Sequence, residues 1–236
     1  GGRNAKGRPI VNLLPLEKDE RIQAVLPVKE FNDDQFIFMA TETGSVKKTK
    51  LSAYSRPMKS GIKAIKLRDG DRVVNAEITD GTKEIMLFSN SGKSIRFKES
   101  DARPMGRVSQ GVRGMRIDKD QKIISLVVLE EGNILVATEN GYGKQTLKDE
   151  FSIQKRGGKG VIAIQTSNRN GNLIGAKQVS TGDEVMFIST SGNLIRTRTD
   201  DISVIGRNTQ GVRLIRLSED DNLLGMEKVI SEDDEE

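Results

Sequence analysis

The sequence of 236 residues contains no cysteine, no histidine and no tryptophan, and only 4% of its residues are aromatic. The missing cysteine and histidine exclude disulfides, Cys/His zinc sites and every mechanism that uses a thiol or an imidazole. A chain without cysteine fits a reducing compartment. No apolar run approaches the roughly eighteen residues of a membrane span, and the first residues lead into no apolar core of a signal peptide. We therefore expect a cytoplasmic protein without membrane contact.

Five short segments share one design, in which a glycine follows Arg or Lys and precedes a short apolar run. The glycines are Gly7, Gly61, Gly111, Gly160 and Gly211, and they lie 54, 50, 49 and 51 residues apart. Twelve-residue windows around them hold 16 of the 38 Lys and Arg and none of the 34 Asp and Glu, although the net charge is only +4. A repeat near fifty residues predicts a propeller or a similar array. A positive loop in every repeat predicts a long polyanion, and nucleic acid is the leading candidate.

A second set of glycines lies between pairs of apolar runs, which predicts β-hairpins. These turn glycines are Gly44, Gly92, Gly141 and Gly192, and the predicted hairpins cover residues 36–49, 84–97, 134–146 and 185–197. One further apolar run precedes each hairpin, at 22–26, 73–76, 123–128 and 173–176, and another follows each basic loop. Four short strands per repeat and no helix predict an all-β, propeller-like array of four-stranded blades.

We expect one β domain over residues 1–230, with repeats near 7–60, 61–110, 111–159, 160–210 and 211–230. The repeats are uneven, because five basic loops accompany only four hairpins, and this count favours a fragment of a longer domain. Residues 231–236 form an acidic block that is expected to be disordered. This tail is either inert or competes with DNA for the basic loops.

The basic loops suit DNA because a bent duplex is held at successive phosphates, without regard to the bases. Glycine lets backbone N–H groups approach a phosphate, and Arg binds its oxygens in a bidentate manner. Hairpin cations four residues after a turn glycine would extend the positive stripe. The candidate DNA-binding residues are Arg3, Lys6, Arg8, Lys48, Arg56, Lys59, Lys63, Arg96, Arg107, Arg113, Gln154, Lys155, Arg156, Gly157, Gly158, Lys159, Gly160, Arg196, Arg207 and Arg213.

The remaining motifs predict no enzyme. The segment 91–94, Ser-Gly-Lys-Ser, resembles the end of a P-loop, but Leu87 stands where that motif needs glycine and a strand follows. Neither Tyr54 nor Tyr142 has neighbours that fit a nucleophile, and both are interpreted as ordinary blade residues. We expect no catalytic residue, no metal site and no cofactor in this domain.

Residues 154–160, Gln-Lys-Arg-Gly-Gly-Lys-Gly, resemble the gyrase A box, Gln-Arg-Arg-Gly-Gly-Lys-Gly, with Lys155 in place of the first Arg. Residues 7–22 and 206–212 are similar to the second-blade and last-blade regions of the same family, the C-terminal domain of the DNA gyrase A protein. The box of that family ordinarily lies in the first blade, whereas the match here lies in the fourth of five loops. Either the chain is a fragment without its own first box, or it carries an additional one.

The resemblance implies a β-pinwheel, a propeller whose blades exchange strands, with about five of six blades represented. Such a domain wraps double-stranded DNA around a basic rim with little sequence preference, so that gyrase can introduce negative supercoils. It is the non-catalytic part of an ATP-dependent type II DNA topoisomerase, an isomerase whose ATP and Mg are used elsewhere in the holoenzyme. The implied partners are DNA, the rest of the gyrase A protein and the gyrase B protein in an A2B2 assembly at the bacterial nucleoid. The isolated domain is expected to be monomeric.

Two alternatives stay open. The C-terminal domain of the topoisomerase IV A protein resembles the gyrase domain but bends DNA less and has degenerate boxes. The strong box at 154–160 and the segment 11–16, Val-Asn-Leu-Leu-Pro-Leu, favour gyrase. The other alternative is a protein-binding propeller scaffold, which would need exposed aromatic side chains that this chain scarcely has.

Overall fold

The structure, a computed structural model, describes residues 14, 16 and 20–229. In chain order the strands are β1 (Phe36–Thr41), β2 (Ser45–Lys50), β3 (Val73–Thr79), β4 (Glu84–Ser89), β5 (Lys93–Lys98), β6 (Val112–Arg113), β7 (Ile123–Leu129), β8 (Asn133–Thr138), β9 (Tyr142–Thr146), β10 (Val161–Ile162), β11 (Leu173–Val179), β12 (Glu184–Ser189), β13 (Leu194–Arg198), β14 (Val212–Arg213) and β15 (Leu223–Val229). Single turns of 3-10 helix, Leu51–Tyr54, Glu99–Asp101, Lys148–Glu150 and Thr199–Asp201, follow β2, β5, β9 and β13. No helix among these residues is long and apolar enough to cross a membrane. The predicted all-β class is confirmed.

Each predicted hairpin is the centre of one small antiparallel sheet, and the strand order repeats. It is β3-β1-β2-β6 in sheet 1, β10-β5-β4-β7 in sheet 2, β11-β8-β9-β14 in sheet 3 and β13-β12-β15 in sheet 4. The strand that follows a hairpin pairs with its first strand, as Ala76 pairs with Met39. The fourth strand of sheets 1, 2 and 3 has only two residues and follows a basic loop. It comes from one repeat later in the chain, as Val112 of β6, which follows the second hairpin, pairs with Val46 of the first. Neighbouring sheets therefore exchange strands, and the predicted propeller-like architecture is confirmed.

The sheets surround a central cavity of about 670 Å³, which is lined by the first residues of β3, β7, β11 and β15. We call these four the inner strands, and we call β6, β10 and β14 the outer strands. Each outer strand follows a basic loop directly, because the loop glycines Gly111, Gly160 and Gly211 immediately precede β6, β10 and β14. This topology places the basic loops at the periphery of the molecule, as far from the central cavity as the sheets allow.

The hydrophobic core consists of layers between neighbouring sheets. Phe38 and Phe97 meet between sheets 1 and 2, with ring centroids 6.4 Å apart. Phe88 and Phe151 lie between sheets 2 and 3, and Phe187 lies between sheets 3 and 4. Most central strands are covered on both faces, so the burial pattern of β4 shows five consecutive buried residues instead of an alternation. Apolar runs rather than period-two patterns therefore mark these strands in the sequence.

Two predicted strands are absent from the described residues. The runs at 22–26 and after Gly61 have no regular structure. An inner strand pairs with the hairpin that directly precedes it in the chain, and an outer strand pairs with the hairpin one repeat earlier. Neither segment has such a partner, because the described residues contain no hairpin ahead of Phe36. Both segments, with Val28 just after the first, instead pack on the open face of sheet 1, where Leu26, Val28, Ala64 and Ile65 are half-buried. The Gly7 loop and the acidic tail, residues 231–236, lie outside the described residues.

Candidate nucleic-acid interface

The Gly111, Gly160 and Gly211 loops are each attached to the outer edge of a sheet at two points. In the Gly111 loop the first attachment is at Lys48, whose carbonyl oxygen accepts the N–H of Met105 at 2.8 Å. The second is the pairing of β6 with the start of β2, from Ser45 to Val46. Residues 106–110, between the attachments, form no strand and are exposed or half-buried. The Gly160 and Gly211 loops have the same attachments, so the loops recur at equivalent places around the periphery.

The glycine that ends the Gly111, Gly160 and Gly211 loops is required by the sheet edge. Gly160 has φ of +71°, and a Cβ atom at this position would lie 2.2 Å from the carbonyl oxygen of Ser94. Gly111 has φ of +82°, and its Cβ atom would lie 2.4 Å from the carbonyl oxygen of Val46. An L side chain would be excluded by both conformation and space. The fifty-residue period of the glycines is therefore explained by the strand exchange. Only the charged residues beside the glycines indicate a ligand.

In the Gly111, Gly160 and Gly211 loops, the arginine four residues before the glycine is bonded to the preceding loop. The Nη1 group of this arginine donates to a backbone carbonyl oxygen of the preceding loop, at the second residue after the glycine of that preceding loop. The pairs are Arg107 with Lys63 at 3.0 Å, Arg156 with Arg113, and Arg207 with Ile162 at 3.1 Å. The three arginines are half-buried, and each guanidinium retains further N–H donors. They fasten each loop to its neighbour, which fixes the spacing of the positive charges along the periphery.

A buried lysine supports the Gly211 loop from beneath, a feature that sequence reasoning missed. Lys144 of β9 is fully buried. Its Nζ atom donates to the carbonyl oxygens of Gly206 at 2.6 Å and Arg207 at 2.5 Å, and to the hydroxyl of Thr209 at 3.0 Å. Burial lowers the pKa of Lys144 to about 8. The three donors of one ammonium group thus hold three acceptors of one loop.

Lys47 of β2 has the same role beneath the Gly111 loop. Its fully buried side chain donates from Nζ to the carbonyl oxygens of Ala64, at 2.5 Å, and Arg107. Burial, followed by the nearby Arg107 charge, lowers the pKa of Lys47 to about 8. Both lysines stand three residues after a turn glycine, and Ile95 takes that position beneath the Gly160 loop. The sequence signal is therefore a lysine that recurs at a position expected to be a strand interior.

The hairpin cations predicted to extend the positive stripe have other partners. Lys48 is 4% exposed, and its Nζ atom lies 3.8 Å from a carboxylate oxygen of Glu99. Arg96 donates from Nε to Glu84 at 2.7 Å and from Nη1 to two carbonyls at the next 3-10 turn, both at 2.9 Å. Arg196 is exposed but forms an ion pair within its own hairpin. Lys48 and Arg96 thus join neighbouring sheets, and neither is open to a ligand at the periphery.

Most of the remaining predicted cations are exposed, and none of them forms an ion pair in the described part of the chain. They are Arg56, Lys59, Lys63, Arg113, Lys155, Lys159 and Arg213. Together with the half-buried Arg107, Arg156 and Arg207 we call them the basic rim. Gln154 is half-buried, and its N–H bonds to the carbonyl oxygen of Arg96 at 2.8 Å, while Gly157 and Gly158 shape the tip of the Gly160 loop. Arg3, Lys6 and Arg8 lie outside the described residues.

Several further cations beside the rim are exposed but were not among the predicted DNA-binding residues. They are Lys66, Arg68, Arg103, Arg116, Arg169 and Arg216. Arg116 and Arg216 each stand five residues after a loop glycine, as Lys66 does, so this recurrence was visible in the sequence. Arg169 shares no such position and becomes noticeable only in the folded chain. In the described residues no group of three or more acidic side chains is placed to hold a metal ion.

Comparison with known sequences points to one family. The family model of the DNA gyrase C-terminal domain, a β-propeller, matches residues 1–29, 35–80, 83–130, 132–180 and 183–230. The DNA gyrase A protein of Salmonella typhimurium is 51% identical over 235 residues, and that of Escherichia coli is 52% identical over 235 residues. Both alignments cover 99% of this chain and 27% of the relative. The chain thus spans about a quarter of the length of these relatives.

Solved structures share the fold. A structure of the DNA gyrase A C-terminal domain superposes with a TM-score of 0.85 at 28% identity, covering 96% of this chain and 76% of that one. The C-terminal domain of a DNA topoisomerase IV gives a TM-score of 0.89 at 26% identity, covering 94% and 70%. The fold is therefore shared by the gyrase and the topoisomerase IV domains, and structural similarity does not distinguish them. The family model and the identities of 51% and 52% favour the gyrase family. The chain belongs to the family of DNA gyrase C-terminal domains.

Proposed function

We propose that this chain binds double-stranded DNA along the basic rim and bends it around the molecule, with little preference for base sequence. The observation that carries the proposal is the row of exposed cations without an ion pair on the Gly61, Gly111, Gly160 and Gly211 loops, the last three of which are attached to the edges of successive sheets. A row of separate positive loops fits a ligand that is itself periodic in negative charge. A small anionic ligand would instead need charges that converge on one cavity.

The construction of the loops supports bending as well as binding. Smoothly bending a short duplex by 40–90° costs roughly 1–6 kcal/mol, which one loop alone would not offset. Several loops held at fixed spacing can share that cost, provided that they do not move to suit a straight duplex. The strand exchange and the arginine bonds between loops supply this rigidity. Since the contacts lie on loop cations, they would reach phosphates rather than base edges.

The proposal extends to the complete protein through the family. A DNA-bending domain attached to the rest of a gyrase A protein would present a wrapped segment to the strand-passage machinery and so favour negative supercoiling. The domain itself would contribute no catalytic group. ATP and Mg would be used elsewhere, in an assembly with the rest of the gyrase A protein and with the gyrase B protein in the bacterial cytoplasm. The relatives at 51% and 52% identity, both gyrase A proteins, support the attachment to the rest of a gyrase A protein.

The salt dependence of DNA binding tests the proposal. Each phosphate that is neutralised contributes about −0.9 to the log–log slope of affinity against salt, so the seven exposed cations predict a slope of about −6, and all ten predict about −9. Fluorescence anisotropy with duplexes of unrelated sequence measures both slope and sequence preference. A slope near −2, or tight binding of one sequence alone, would show that the rim does not hold a DNA backbone.

A pair of double variants separates rim charge from net charge. Lys155→Gln with Lys159→Gln removes two exposed rim lysines, and the slope should become shallower by about 1.8. Lys50→Gln with Lys98→Gln removes two exposed lysines at the ends of β2 and β5 that do not belong to the basic rim, Lys50 being paired with Asp33. This control should keep the wild-type slope. Equal effects of the two pairs would mean that only the total charge matters.

A second candidate is weaker DNA bending of the topoisomerase IV type. The TM-score of 0.89 with the topoisomerase IV domain favours it, since that superposition is at least as good as the gyrase one. Both candidates predict the same salt slope. They differ in the topology of the bound DNA, because only a wrap of defined hand changes the linking number of a closed plasmid.

A further inference from the structure

A cluster of arginines that shares Arg213 with the basic rim lies around Tyr142 at the start of β9. The guanidinium groups of Arg169 and Arg213 lie 5.1 and 5.3 Å from the centroid of the tyrosine ring. Both donate to the same phenol oxygen, Arg213 from Nη2 at 2.8 Å and Arg169 from Nε at 3.4 Å. Arg216 lines the same concavity, which has a volume of about 400 Å³. Three cations thus converge on one opening.

The three arginines of this cluster outnumber the carboxylates that line the same concavity. In the part of the chain that the structure describes, no carboxylate forms an ion pair with any of the three arginines. Two carboxylates line the concavity. Asp221 is already bonded to the hydroxyls of Thr190 and Ser191 at 2.7 and 2.8 Å, and Glu219 is exposed. Each guanidinium has five N–H donors, so most of them remain for a further acceptor.

The turn that carries Arg169 is held rigidly. The neighbouring Asn170 is fully buried, and its side-chain amide donates to the carbonyl oxygens of Gln165 at 2.8 Å and Gln210 at 3.1 Å. From the hairpin turn, Asn140 donates to the carbonyl oxygen of Arg169 at 3.1 Å. The turn is thereby tied both to the hairpin and to the Gly211 loop. Arg169 is fixed beside the ring instead of moving freely in solvent.

The sequence of this turn differs from its counterparts in the other repeats. The corresponding segments 68–71, 118–121 and 218–221 read Arg-Asp-Gly-Asp, Asp-Lys-Asp-Gln and Ser-Glu-Asp-Asp, and each contains at least two carboxylates. Residues 166–171 read Thr-Ser-Asn-Arg-Asn-Gly and contain none. The span from the loop glycine to the inner strand is also one residue longer here. Negative charge is therefore missing from the turn that carries Arg169, whereas the turn 218–221 brings Glu219 and Asp221 to the same concavity.

We propose that Arg169, Arg213 and Arg216 form a pocket for one phosphate group, with Tyr142 as the platform on which two guanidinium groups are arranged. Planar guanidinium groups bind tetrahedral oxyanions through paired N–H donors. The phosphate can belong to a DNA backbone or to a small phosphate compound. The DNA source rests on the function proposed above: Arg213 lies two residues after Gly211, so the pocket would extend the DNA contact of that loop towards the hairpin turn.

A related concavity in sheet 1 shows what the tyrosine adds. Arg68, Arg113 and Arg116 line a space of about 570 Å³, where Ser45 takes the place of the tyrosine. Without the ring, no bond to a common acceptor gathers these arginines. The equivalent position of sheet 2 lacks the cluster, because Ile162 stands where the other two have an arginine after the loop glycine. The complete pocket is thus a particular feature of sheet 3.

The ionisation of Tyr142 reports on this pocket. The chain has two tyrosines and no tryptophan, so in a Tyr54→Phe background the phenolate absorbance comes from Tyr142 alone. Hydrogen bonds from Arg169 and Arg213 lower the pKa of Tyr142. A bound phosphate would draw these donors and their charge towards itself, and the pKa of Tyr142 should rise. Inorganic phosphate and a duplex DNA are titrated separately into the Tyr54→Phe protein. Each titration is repeated with the protein that also carries Arg169→Gln.

A saturable rise with either probe that Arg169→Gln abolishes would support the pocket, and the probe that causes it identifies the source of the phosphate. If the source is DNA, Arg169→Gln should also make the salt slope of DNA binding shallower by about 0.9. Arg198→Gln, which removes an exposed arginine paired with Asp200, should leave that slope unchanged. If neither probe raises the pKa of Tyr142, the pocket is refuted. The proposed function would still stand in that case, provided that the wild-type chain binds DNA. Failure of DNA binding would refute that function and still leave inorganic phosphate as a test of the pocket.

Discussion

Replacement of the buried lysine beneath the Gly211 loop tests whether a contact from the underlying sheet holds the rim cations of this loop in place. Lys144→Met keeps an unbranched apolar stem of four atoms and removes the ammonium group that bonds Gly206, Arg207 and Thr209. The three acceptors would then depend on water. We expect a less stable protein whose Gly211 loop no longer holds its shape.

The structure sets the magnitude. Hydrogen bonds to a charged group contribute about 1.5–3 kcal/mol each, and the cost of burying the ammonium offsets several kcal/mol of their sum. The net loss in the free energy of unfolding is therefore about 2–4 kcal/mol. In a chain of this size 1 kcal/mol corresponds to about 2–4 °C, so Tm should fall by roughly 4–16 °C. Ile95, which fills the same position beneath the Gly160 loop, shows that an apolar side chain fits there sterically.

Circular dichroism melts and DNA anisotropy measure the two consequences. Lys98→Met is the matched control, because it removes the same charge from an exposed site at the end of β5. The control should keep the wild-type Tm, and Lys144→Met should also lower DNA affinity below that of the control. A variant that melts within about 1 °C of wild type would refute the support role, since three bonds of a buried ammonium cannot be lost without cost.

Three further predictions concern the framework. Arg96→Met should lower the free energy of unfolding by about 2–4 kcal/mol in denaturant melts, yet leave the salt slope of DNA binding unchanged. Gly160→Ala should cost more than about 2 kcal/mol in the same assay, since the new Cβ atom would lie 2.2 Å from the Ser94 carbonyl at a φ of +71°. The folded-state pKa of Lys47 and Lys144, about 8 instead of 10.5, should make stability rise between these pH values, where the unfolded chain binds more protons.

Each of these has an outcome that contradicts it. A shallower salt slope in the Arg96 variant would return that residue to the DNA interface. A Gly160→Ala protein as stable as wild type would mean that the loop can leave the sheet edge freely. The pH effect belongs to the two buried lysines only if Lys47→Met combined with Lys144→Met removes it, so an undiminished rise in the double variant would assign it to other groups.

The hairpins were predictable from the sequence because they are local. An apolar run, a turn with glycine and a second run specify β1 with β2, or β4 with β5, without information from elsewhere in the chain. The outer strands are different. Val112 pairs with Val46, more than sixty residues earlier, and a two-residue strand carries too little pattern to name its partner. The exchange between sheets therefore follows from the resemblance to a family and from the structure.

The basic rim was predictable as a set, because charge and period recur together. The separate roles of its members were not. Lys47 and Lys48 are adjacent in β2, and both are buried because the strand is covered on both faces, one beneath a loop and one beside Glu99. Nor does composition distinguish Arg107, which bonds to the preceding loop, from Arg113, which is exposed. These differences arise from long-range packing that no local pattern expresses.

The most direct test of the central claim is the topology of a closed plasmid. A nicked plasmid is ligated in the presence of increasing amounts of the chain, and the linking number is read after removal of the protein. Bending around the rim in the manner of gyrase predicts a positive shift that grows with protein and is reduced by Lys155→Gln with Lys159→Gln. An unchanged linking number at concentrations where anisotropy shows the plasmid to be bound would contradict DNA wrapping by this chain.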